Sequence, residues 1–562
     1  MTELHPGLIL MAGGLAAPLL PHVVRRIFLA GLPLAGLWLV WVLPADATWS
    51  IPAFGLSIEL LHVDPLANVF AVLFLGATWL TVLFCYSSAT RLQAAIVPIF
   101  AGSAVSAVYA GDLIGLFVFG EMAVLSSVFL VWSPGDERAY RAGLRYLFFQ
   151  ALSSVLLFEA VVVRAHASGE AAFDAAGLAG TGAGFMLVAF GIRCAFPLLH
   201  TWLNDACAKA PLGPTVALLA ITANIGVYGL ARNFPGTDVL VWIGLIMVIV
   251  PIWYGIIEND IRKLLTHSLN TQLGFVIAGI GLGSTLALAG ALVHAFTQAV
   301  AIALLALAVG SVVRETGKFR LSQLGGLART MPWTAAACCI GAATIAGLPL
   351  FGGFVGKEMI IVAAQNDGHW IVAAILVMAS AGVLFQVALR LPFGVFFGVP
   401  QATAPREAPW PSRVAMFVAA VVCVGVGSWP QGLLADLPDG GLQSPYTYQS
   451  VLSQLQVFCF AALVYGWLNR KRLVPASVPG VNLDADVVYL RLFPKAVRSL
   501  VATFAPIDRN IRARSVRSIQ AIFAAMGWIA EPGRRTILLS HMVSWIVSLL
   551  AVYLAVNFIA RL

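Results

Sequence analysis

The sequence has few charged residues for its length. Asp, Glu, Lys and Arg make up 10% of its 562 residues, whereas about 25% is usual in soluble globular domains. Hydrophobic residues make up 60% of the chain. This composition excludes a water-soluble enzyme. Apolar runs near the roughly 20 residues that cross a bilayer as a helix predict an all-α polytopic membrane protein.

Cysteine is also scarce, and the seven cysteines include no Cys-x-x-Cys pair. Because such pairs are typical of zinc, iron–sulfur and redox sites, the sequence implies no metal, no cofactor and no redox site of its own. Met1 to Gly7 contain no Lys or Arg, so they lack the basic start of a cleaved signal peptide. We expect the first apolar run to be retained as a span.

Basic residues exceed acidic ones, with 33 Lys and Arg against 25 Asp and Glu. Such an excess is found in proteins that bind nucleic acid or an anionic surface, and in the loops that set membrane topology. Many of the basic residues lie between Arg470 and Arg535, without helix-turn-helix or zinc-finger spacing. We therefore predict a cytoplasmic segment near anionic lipid, and no nucleic-acid binding.

The apolar runs indicate about sixteen spans, and positive charge collects in alternate loops, as it does in cytoplasmic loops. This pattern predicts a multi-pass protein of the cell inner (plasma) membrane with its N-terminus outside. It also predicts a basic cytoplasmic segment with an amphipathic surface helix at 469–539 and a terminal transmembrane anchor at 540–562. The basic loops contain Arg25, Arg91, Arg141, Arg262 and Arg320, and the opposite loops contain Asp46, Asp64, Glu170, Asp238 and Asp367.

Two spans are interrupted by helix-breaking residues: Pro197 in one, and Gly347, Pro349 and nearby glycines in the other. Broken helices at corresponding places in two halves are typical of inverted-repeat transporters, whose working site lies near the breaks. The predicted organisation is N-terminal helices at 1–93, a first five-helix repeat at 94–232, a second inverted repeat at 239–397, and C-terminal core helices at 398–468.

Charged side chains inside a bilayer are costly, so each one within a span is a functional candidate. A series of carboxylate, basic and imidazole groups at similar depth is suited to stepwise proton transfer through internal water. The sequence predicts a proton pathway along the following residues. They are Glu121, Arg193, Asn224, His294, Gln298, Lys357 and Arg390.

Structural roles remain open for several of these residues. Glu121 and Arg193 are also suited to a buried ion pair that holds two helices together. His294 is suited to a satisfied interhelical hydrogen bond as well as to carrying a proton, and Lys357 to extending its ammonium group to the outer surface. We expect His200, beside the first break, to be structural.

Five segments resemble the antiporter-like subunits shared by Mrp-type cation/proton antiporters and respiratory complex I, with particular likeness to the D-type subunit of the Mrp-type antiporter. The resemblance implies about fourteen core spans with two inverted five-helix repeats, in one subunit of a hetero-oligomer. It assigns Glu121 to the key glutamate of the family, Arg193 to a lysine at the first break, His294 to the central axis and Lys357 to the terminal lysine. The segments are 190–206, 226–232, 259–268, 324–333 and 347–357.

The sequence departs from the family pattern in the middle of this route. Asn224 and Arg193 replace lysines, and Gln298 and Ile302 replace a histidine and a lysine. An amide does not hold a proton at accessible pH, so these changes remove proton carriers between the two ends.

The function that we predict is that of an antiporter-like membrane subunit. It would work in a multi-subunit complex that translocates protons, with or without a monovalent cation, together with other membrane subunits. Two alternatives remain open. One is a scaffold subunit that has lost conduction and packs against a partner that transports ions, inorganic carbon or electrons. The other is a self-contained carrier for an organic solute.

Overall fold

The computed structural model describes residues 4–471, apart from 54–55, 87, 169–172, 174–176, 399–404 and 436–444, together with Lys495. The chain divides into two units, Met1–Asn482 and Leu483–Leu562. The fold described below belongs to the first unit. Nearly all of the predicted basic segment at 469–539 and the whole terminal anchor at 540–562 lie outside the described residues.

The first unit is built of helices, and eleven of its helical segments are long and apolar enough to cross a membrane. The predicted all-α polytopic membrane protein is confirmed. Along the chain the helices are α1 Pro6–Ala16, α2 His22–Val42, α3 Pro65–Phe84, α4 Arg91–Tyr109, α5 Leu113–Trp132, α6 Glu137–Ser168, α7 Ala183–Arg193, α8 Thr201–Lys209, α9 Leu212–Asn233, α10 Asp238–Ile257, α11 Ile261–Leu282, α12 Thr285–Thr316, α13 Pro332–Ala346, α14 Gly352–Asn366, α15 Trp370–Val383, α16 Arg390–Pro392, α17 Trp410–Ser428, α18 Gln431–Leu434 and α19 Tyr448–Arg470. Two π-helical segments, Leu384–Leu389 and Phe393–Phe397, flank α16.

A β-hairpin between α2 and α3 is the one sheet in the described residues, and the apolar-run analysis did not predict it. Strands β1, Thr48–Ala53, and β2, Leu56–His62, pair antiparallel. The hairpin is attached to the start of α5, because the backbone N–H of Glu59 donates to the Asp112 carboxylate at 2.6 Å and the N–H of Gly111 donates to the carbonyl of Glu59 at 2.9 Å. The strands are much shorter than the apolar runs of about 20 residues that indicate spans, so those runs do not reveal them.

Both interrupted spans are broken in the structure, as predicted. The first break separates α7 from α8, and the second separates α13 from α14. Three of the four non-glycine residues with positive φ in the described chain lie in these breaks: Ala195 at 58°, Leu198 at 69° and Leu350 at 73°. Such conformations cost free energy and persist only where the surroundings impose them. The breaks are therefore fixed features of the packed fold.

Helices α4 to α9 and α10 to α15 repeat the same order of elements. In each run the third helix is unusually long, since α6 and α12 both contain 32 residues. In each run that helix is followed by the broken pair of half-helices. Helices α9 and α12 are almost entirely buried, whereas α19 is largely exposed. The two breaks are thus held against the buried centre of the bundle.

Contacts near the helix ends agree with the charge pattern of the loops. The His5 ring lies 3.2 Å from the carbonyl of Leu60 in β2, and Ser284 donates to Asp367 at 2.8 Å. The charge pattern assigns these segments to one side. Arg145 near the start of α6 pairs with Asp205 of α8 at 2.5 Å, and Asn259 donates to Ser322 at 3.1 Å. The charge pattern assigns these segments to the other side.

Replacing Asp112 with alanine tests how the hairpin and α5 are held. The carboxylate accepts from the N–H of Gly115 at 2.6 Å as the N-cap of α5 and also from that of Glu59. We expect Asp112→Ala to cost about 1–2 kcal/mol of stability, since it leaves both N–H groups without this acceptor. A thermal-unfolding measurement in detergent should show a lower Tm. Glu137→Ala, which removes an exposed ion pair with Arg141, is the control; equal Tm values for the two variants would contradict the capping role.

Candidate functional site

The first group of buried charges, the Glu121 cluster, consists of Glu121, Arg193, Ser153 and Ser154. The Arg193 guanidinium, at the last residue of α7, donates through Nη2 to Glu121 Oε1 at 2.9 Å. Its Nε donates to Ser153 Oγ at 3.1 Å, and Ser154 Oγ donates to the same Glu121 oxygen. Helices α5, α6 and α7 therefore meet at one ion pair.

The ion pair between Glu121 and Arg193, which the sequence analysis gave as one alternative, is present. Its two side chains differ in their exposure to solvent. The Arg193 side chain is 2% exposed and that of Glu121 is 25% exposed. Desolvation offsets much of the attraction in such a pair, so the serine hydroxyl groups are needed to complete its hydrogen bonding. A guanidinium keeps its proton in proteins. In this cluster the carboxyl of Glu121 is therefore the group that can gain and lose a proton.

The second group, the Lys357 cluster, lies at the other break. Lys357 is in α14, and its Nζ donates to the carbonyls of Ile345 at 2.7 Å and Ala346 at 3.3 Å. These are the last carbonyls of α13, where the helix dipole favours a cation. The ammonium group also lies 4.7 Å from the centre of the Phe275 ring, which is suited to a cation–π contact.

The idea that Lys357 extends to the outer surface is therefore wrong. The residue is 2% exposed, and its ammonium group binds the unpaired carbonyls that the break supplies. A similar contact occurs at the first break, where Trp202 of α8 donates to the carbonyl of Ile192 at 2.9 Å. In both spans, a side chain of the second half-helix binds a backbone carbonyl at the end of the first half-helix. That carbonyl belongs to the penultimate residue of the first half-helix.

His294 belongs to the Lys357 cluster, together with Gln272 and Phe275 of α11. Its Nε2 lies 3.1 Å from Gln272 Oε1, and its ring meets Phe275 edge-on with centroids 5.8 Å apart. The backbone of α12 at His294 is packed so closely on Gly356 that an added Cβ there would lie 2.6 Å from the His294 nitrogen. The second ring nitrogen, Nδ1, has no hydrogen-bond partner among the described residues, so one side of the imidazole is satisfied and the other is available.

The neutral side chains of the predicted pathway lie on two largely buried helices, α9 and α12. Asn224 of α9 donates to the carbonyl of Ala220 at 2.7 Å, while its Oδ1 has no partner in the described part of the chain. Neither the oxygen nor the nitrogen of the Gln298 amide in α12 has one there. Ile302, one turn further on, is completely buried.

Unpaired polar atoms of this kind are unusual in a protein interior. Leaving one costs about 1–3 kcal/mol, and ordered water is the usual partner of such groups. The described residues contain further examples on α6 and α11. They include Gln150 Nε2, Ser268 Oγ, Asn270 Oδ1 and Gln272 Nε2. The arrangement is suited to a chain of bound water between the two clusters.

The hydrogen bond of Arg390 is with α10 and lies outside both clusters. It donates to the carbonyl of Gly255 at 2.6 Å, and Gln386 donates to that of Pro251 at 2.9 Å. Gly255 is in the last turn of α10, whose carbonyls lack helical partners. The contacts of Arg390 thus cap α10, and the π-helical segments on either side of α16 position it there.

The sequence identified Glu121, Arg193, His294 and Lys357 but missed their hydrogen-bond partners. Ser153, Ser154, Gln272 and Phe275 complete the two clusters. The polar run Ser268 to Gln272 inside an otherwise apolar span was a usable signal; Phe275 carried none, because aromatic residues are common in spans. The described residues contain no group of three or more His, Cys, Asp or Glu placed to hold a metal ion.

Comparison with known proteins agrees with this architecture. Residues 110–382, which include both clusters, match the family model described as NADH:quinone oxidoreductase/Mrp antiporter, TM. Over this stretch the chain is similar to a family of antiporter-like membrane subunits. The match confirms the family resemblance in the sequence.

Relatives of the chain include hydrogenase-4 component B of Escherichia coli K12, 28% identical over 58% of this chain and 55% of the relative. The D-type subunit of the Na(+)/H(+) antiporter of Alkalihalophilus pseudofirmus is 28% identical over 52% of this chain and 63% of the relative. The chain thus spans less than two thirds of either protein. A chain in the structure of the membrane-bound sulfane sulfur reductase, an archaeal respiratory membrane complex, has a similar fold, with a TM-score of 0.72 at 20% identity over 99% of this chain and 100% of that one.

A double-mutant cycle on Glu121 and Arg193 measures their coupling. Arg193→Ala leaves a mostly buried carboxylate without its cation, which we expect to cost about 3 kcal/mol. In Arg193→Ala/Glu121→Gln that charge is gone, so the double variant should be more stable than the sum of the single changes by at least about 1 kcal/mol. Denaturant unfolding in detergent provides the four values. The exposed pair Glu137 and Arg141 is the matched control, and additive effects at both pairs would contradict the buried ion pair.

Proposed function

We propose that this antiporter-like subunit carries protons along a buried axis that runs from the Glu121 cluster to the Lys357 cluster. The observation that carries the proposal is the set of unpaired amide, hydroxyl and imidazole atoms between two clusters of titratable groups. Glu121, His294 and Lys357 are the groups that bind and release protons. Arg193 holds Glu121 in place as a permanent charge, and Asn224 and Gln298 orient water between them.

Transfer along this axis depends on charge. A proton that joins Glu121 weakens its attraction to Arg193, and the unbalanced guanidinium then repels a cation further along the axis. Lys357 is poised to respond, because its ammonium group binds neutral carbonyls and no carboxylate in the described residues. Loss of its proton leaves an amine that still donates to the same carbonyls. The route therefore requires no large movement of the backbone.

The partial exposure of the Glu121 side chain supports the presence of a neighbouring subunit. Its side chain is a quarter exposed, on a surface of α5 and α6 where Met122, Leu125, Phe158 and Val155 are also exposed. A carboxylate facing lipid is costly, so we propose that a partner membrane subunit covers this face. The relatives named above are a component and a subunit, and we infer that this chain works in a hetero-oligomeric complex that translocates protons, with or without a monovalent cation.

We further propose that residues 94–232 and 239–397 are the two inverted repeats, with 1–93 and 398–468 as flanking helices. The equal lengths of α6 and α12 and the paired breaks support this division. The proposed location is the inner (plasma) membrane, with the N-terminus and the β-hairpin outside and the Arg145 end inside. The distribution of basic residues between alternate loops supports this orientation.

Cysteine labelling tests the orientation. Ser50→Cys in the hairpin should react with a membrane-impermeant maleimide added to intact cells, and Ser322→Cys at the opposite end should react only after permeabilisation. The native Cys459, which is exposed, is replaced by serine in both variants. The reverse labelling pattern would show that the chain is inserted with its N-terminus inside.

A second function is favoured by the neutral middle of the axis. The side chains at positions 224, 298 and 302 are an asparagine, a glutamine and an isoleucine, none of which can hold a proton. A scaffold subunit that has lost conduction would tolerate these residues. In that case the partner subunits would transport without help from Glu121.

Glu121→Gln separates the two functions. In the assembled complex in membrane vesicles, this change removes a proton carrier and keeps the size of the side chain. We expect proton flux to fall by at least about tenfold, measured by a pH-sensitive dye after a pH step. Glu137→Gln, at the exposed start of α6, should leave flux unchanged. Unchanged flux in an intact Glu121→Gln complex would instead establish the scaffold function.

A further inference from the structure

The first turns of α2 carry three basic side chains on one face of that helix. His22, Arg25, Arg26 and Leu29 are three or four residues apart in the sequence, so their side chains lie together. This face meets the C-terminal end of α3 and the N-terminal part of α4 in a narrow crevice, far from the two charged clusters in the sequence. The side chains that border it from α3 and α4 include Thr81, Val82, Ala94 and Val97.

Arg25 is buried in this crevice without a counter-charge. The residue is 8% exposed, and its guanidinium has no ion pair and no hydrogen bond within the described part of the chain. The described residues that border the crevice include no Asp or Glu. A buried charge that lacks a partner is strongly destabilising. We therefore expect an anion to bind at Arg25.

The end of α2 at which Arg25 lies adds to the positive charge. Its N-cap, Pro21, makes no capping hydrogen bond through its side chain, and the first turn contains no acidic residue. The N–H groups of a first turn have no helical acceptors, and the helix dipole at this end favours an anion. Two arginines here repel that end of the dipole. A bound anion would satisfy the N–H groups and the guanidinium groups together.

The second arginine lies at the depth where a membrane meets water. Arg26 is half-buried, and its guanidinium lies 5.5 Å from the centre of the Tyr86 ring. That ring is 6.5 Å from the ring of Trp410, which is 64% exposed. Because Tyr and Trp are enriched at the level of the lipid headgroups, the crevice is placed where the phosphate groups of a bilayer lie.

The size and the surroundings of the crevice indicate the kind of anion. Its volume is about 30 Å³, close to the share of one water molecule in the liquid, so it admits a small group and not a whole organic solute. Val23, Val24 and Ile27, on the adjoining surface of α2, are exposed, as is usual for side chains that face acyl chains. A lipid phosphate meets both conditions, because the rest of the lipid stays in the bilayer. Guanidinium groups bind phosphate through paired hydrogen bonds.

We propose that this crevice binds the phosphate of an anionic phospholipid, with Arg25 and Arg26 as its ligands. The lipid joins the start of α2 to α3 and α4 and supplies the counter-charge that Arg25 lacks. In the orientation proposed above, the site lies in the inner leaflet, where basic pockets between spans are suited to anionic headgroups. The inference involves no proton transfer and does not depend on the proposed function.

The thermal stability of the assembled complex in two kinds of nanodisc tests this site. One kind contains phosphatidylcholine alone, and the other also contains phosphatidylglycerol, which is anionic. We expect phosphatidylglycerol to raise the Tm of the native complex by at least about 2 °C, because a ligand that binds the folded state stabilises it. Most of this rise should be lost in Arg25→Gln. Each variant is compared with itself in the two lipids, so an effect of the substitution on folding cancels.

Arg91→Gln is the matched control. Arg91 is exposed at the first residue of α4 and does not border the crevice, so this variant should keep the full rise in Tm. Equal losses in Arg25→Gln and Arg91→Gln would overturn the site, since they would show an effect of general surface charge. Inorganic phosphate added to the phosphatidylcholine nanodiscs should leave the Tm unchanged. A rise with phosphate that depends on Arg25 would overturn the lipid and assign the crevice to the free ion.

Native mass spectrometry counts the bound lipid directly. The native complex, released from nanodiscs that contain phosphatidylglycerol, should retain one more phosphatidylglycerol molecule for each copy of this chain than the Arg25→Gln complex. The Arg91→Gln complex should match the native one. Equal counts in the native and Arg25→Gln complexes would overturn the proposal, whatever the Tm values.

Discussion

The cost of placing charge inside a bilayer is the constraint on which this structure depends. Each buried charge at the proposed site is held by a particular device. Arg193 is balanced by Glu121 and two serine hydroxyl groups, and Lys357 is held by the last carbonyls of a half-helix. The second device exists only because the span is broken, since an intact helix uses those carbonyls for its own hydrogen bonds. The second break and the buried charge of Lys357 therefore depend on each other.

The two ends of the axis differ in chemistry as a result. At the first break a permanently charged guanidinium meets a carboxylate, so the net charge changes when the carboxylate takes up a proton. At the second break an ammonium group meets neutral carbonyls, so the net charge changes when the lysine loses one. We infer that this asymmetry would give the proposed axis a direction that two identical ion pairs would lack. In that proposal the neutral amides of Asn224 and Gln298 pass a proton only through water that they hold in place.

Much of this was predictable from the sequence, for physical reasons. Length and hydropathy determine the spans, proline and glycine mark the breaks, and the high cost of intramembrane charge singles out Glu121, Arg193 and Lys357. The partners were harder to predict because they depend on which helices touch. Ser153 and Ser154 have the composition of ordinary span residues until α5, α6 and α7 come together. The capping role of Arg390 and the fold-back of Lys357 depend on carbonyl groups, which every residue carries and no sequence pattern distinguishes. The hairpin at Thr48–His62 was not predicted, because its strands are much shorter than the apolar runs that indicate spans.

The measurement that most directly tests the account is proton flux and stability together in Gln298→Met. Methionine has nearly the shape of glutamine but removes both unpaired polar atoms from the most buried part of the axis. If those atoms hold water that conducts protons, flux through the assembled complex should be lost while the Tm is unchanged or higher. Full flux in a Gln298→Met complex would contradict the account, because protons would then be crossing the membrane by a route that does not include the middle of this chain.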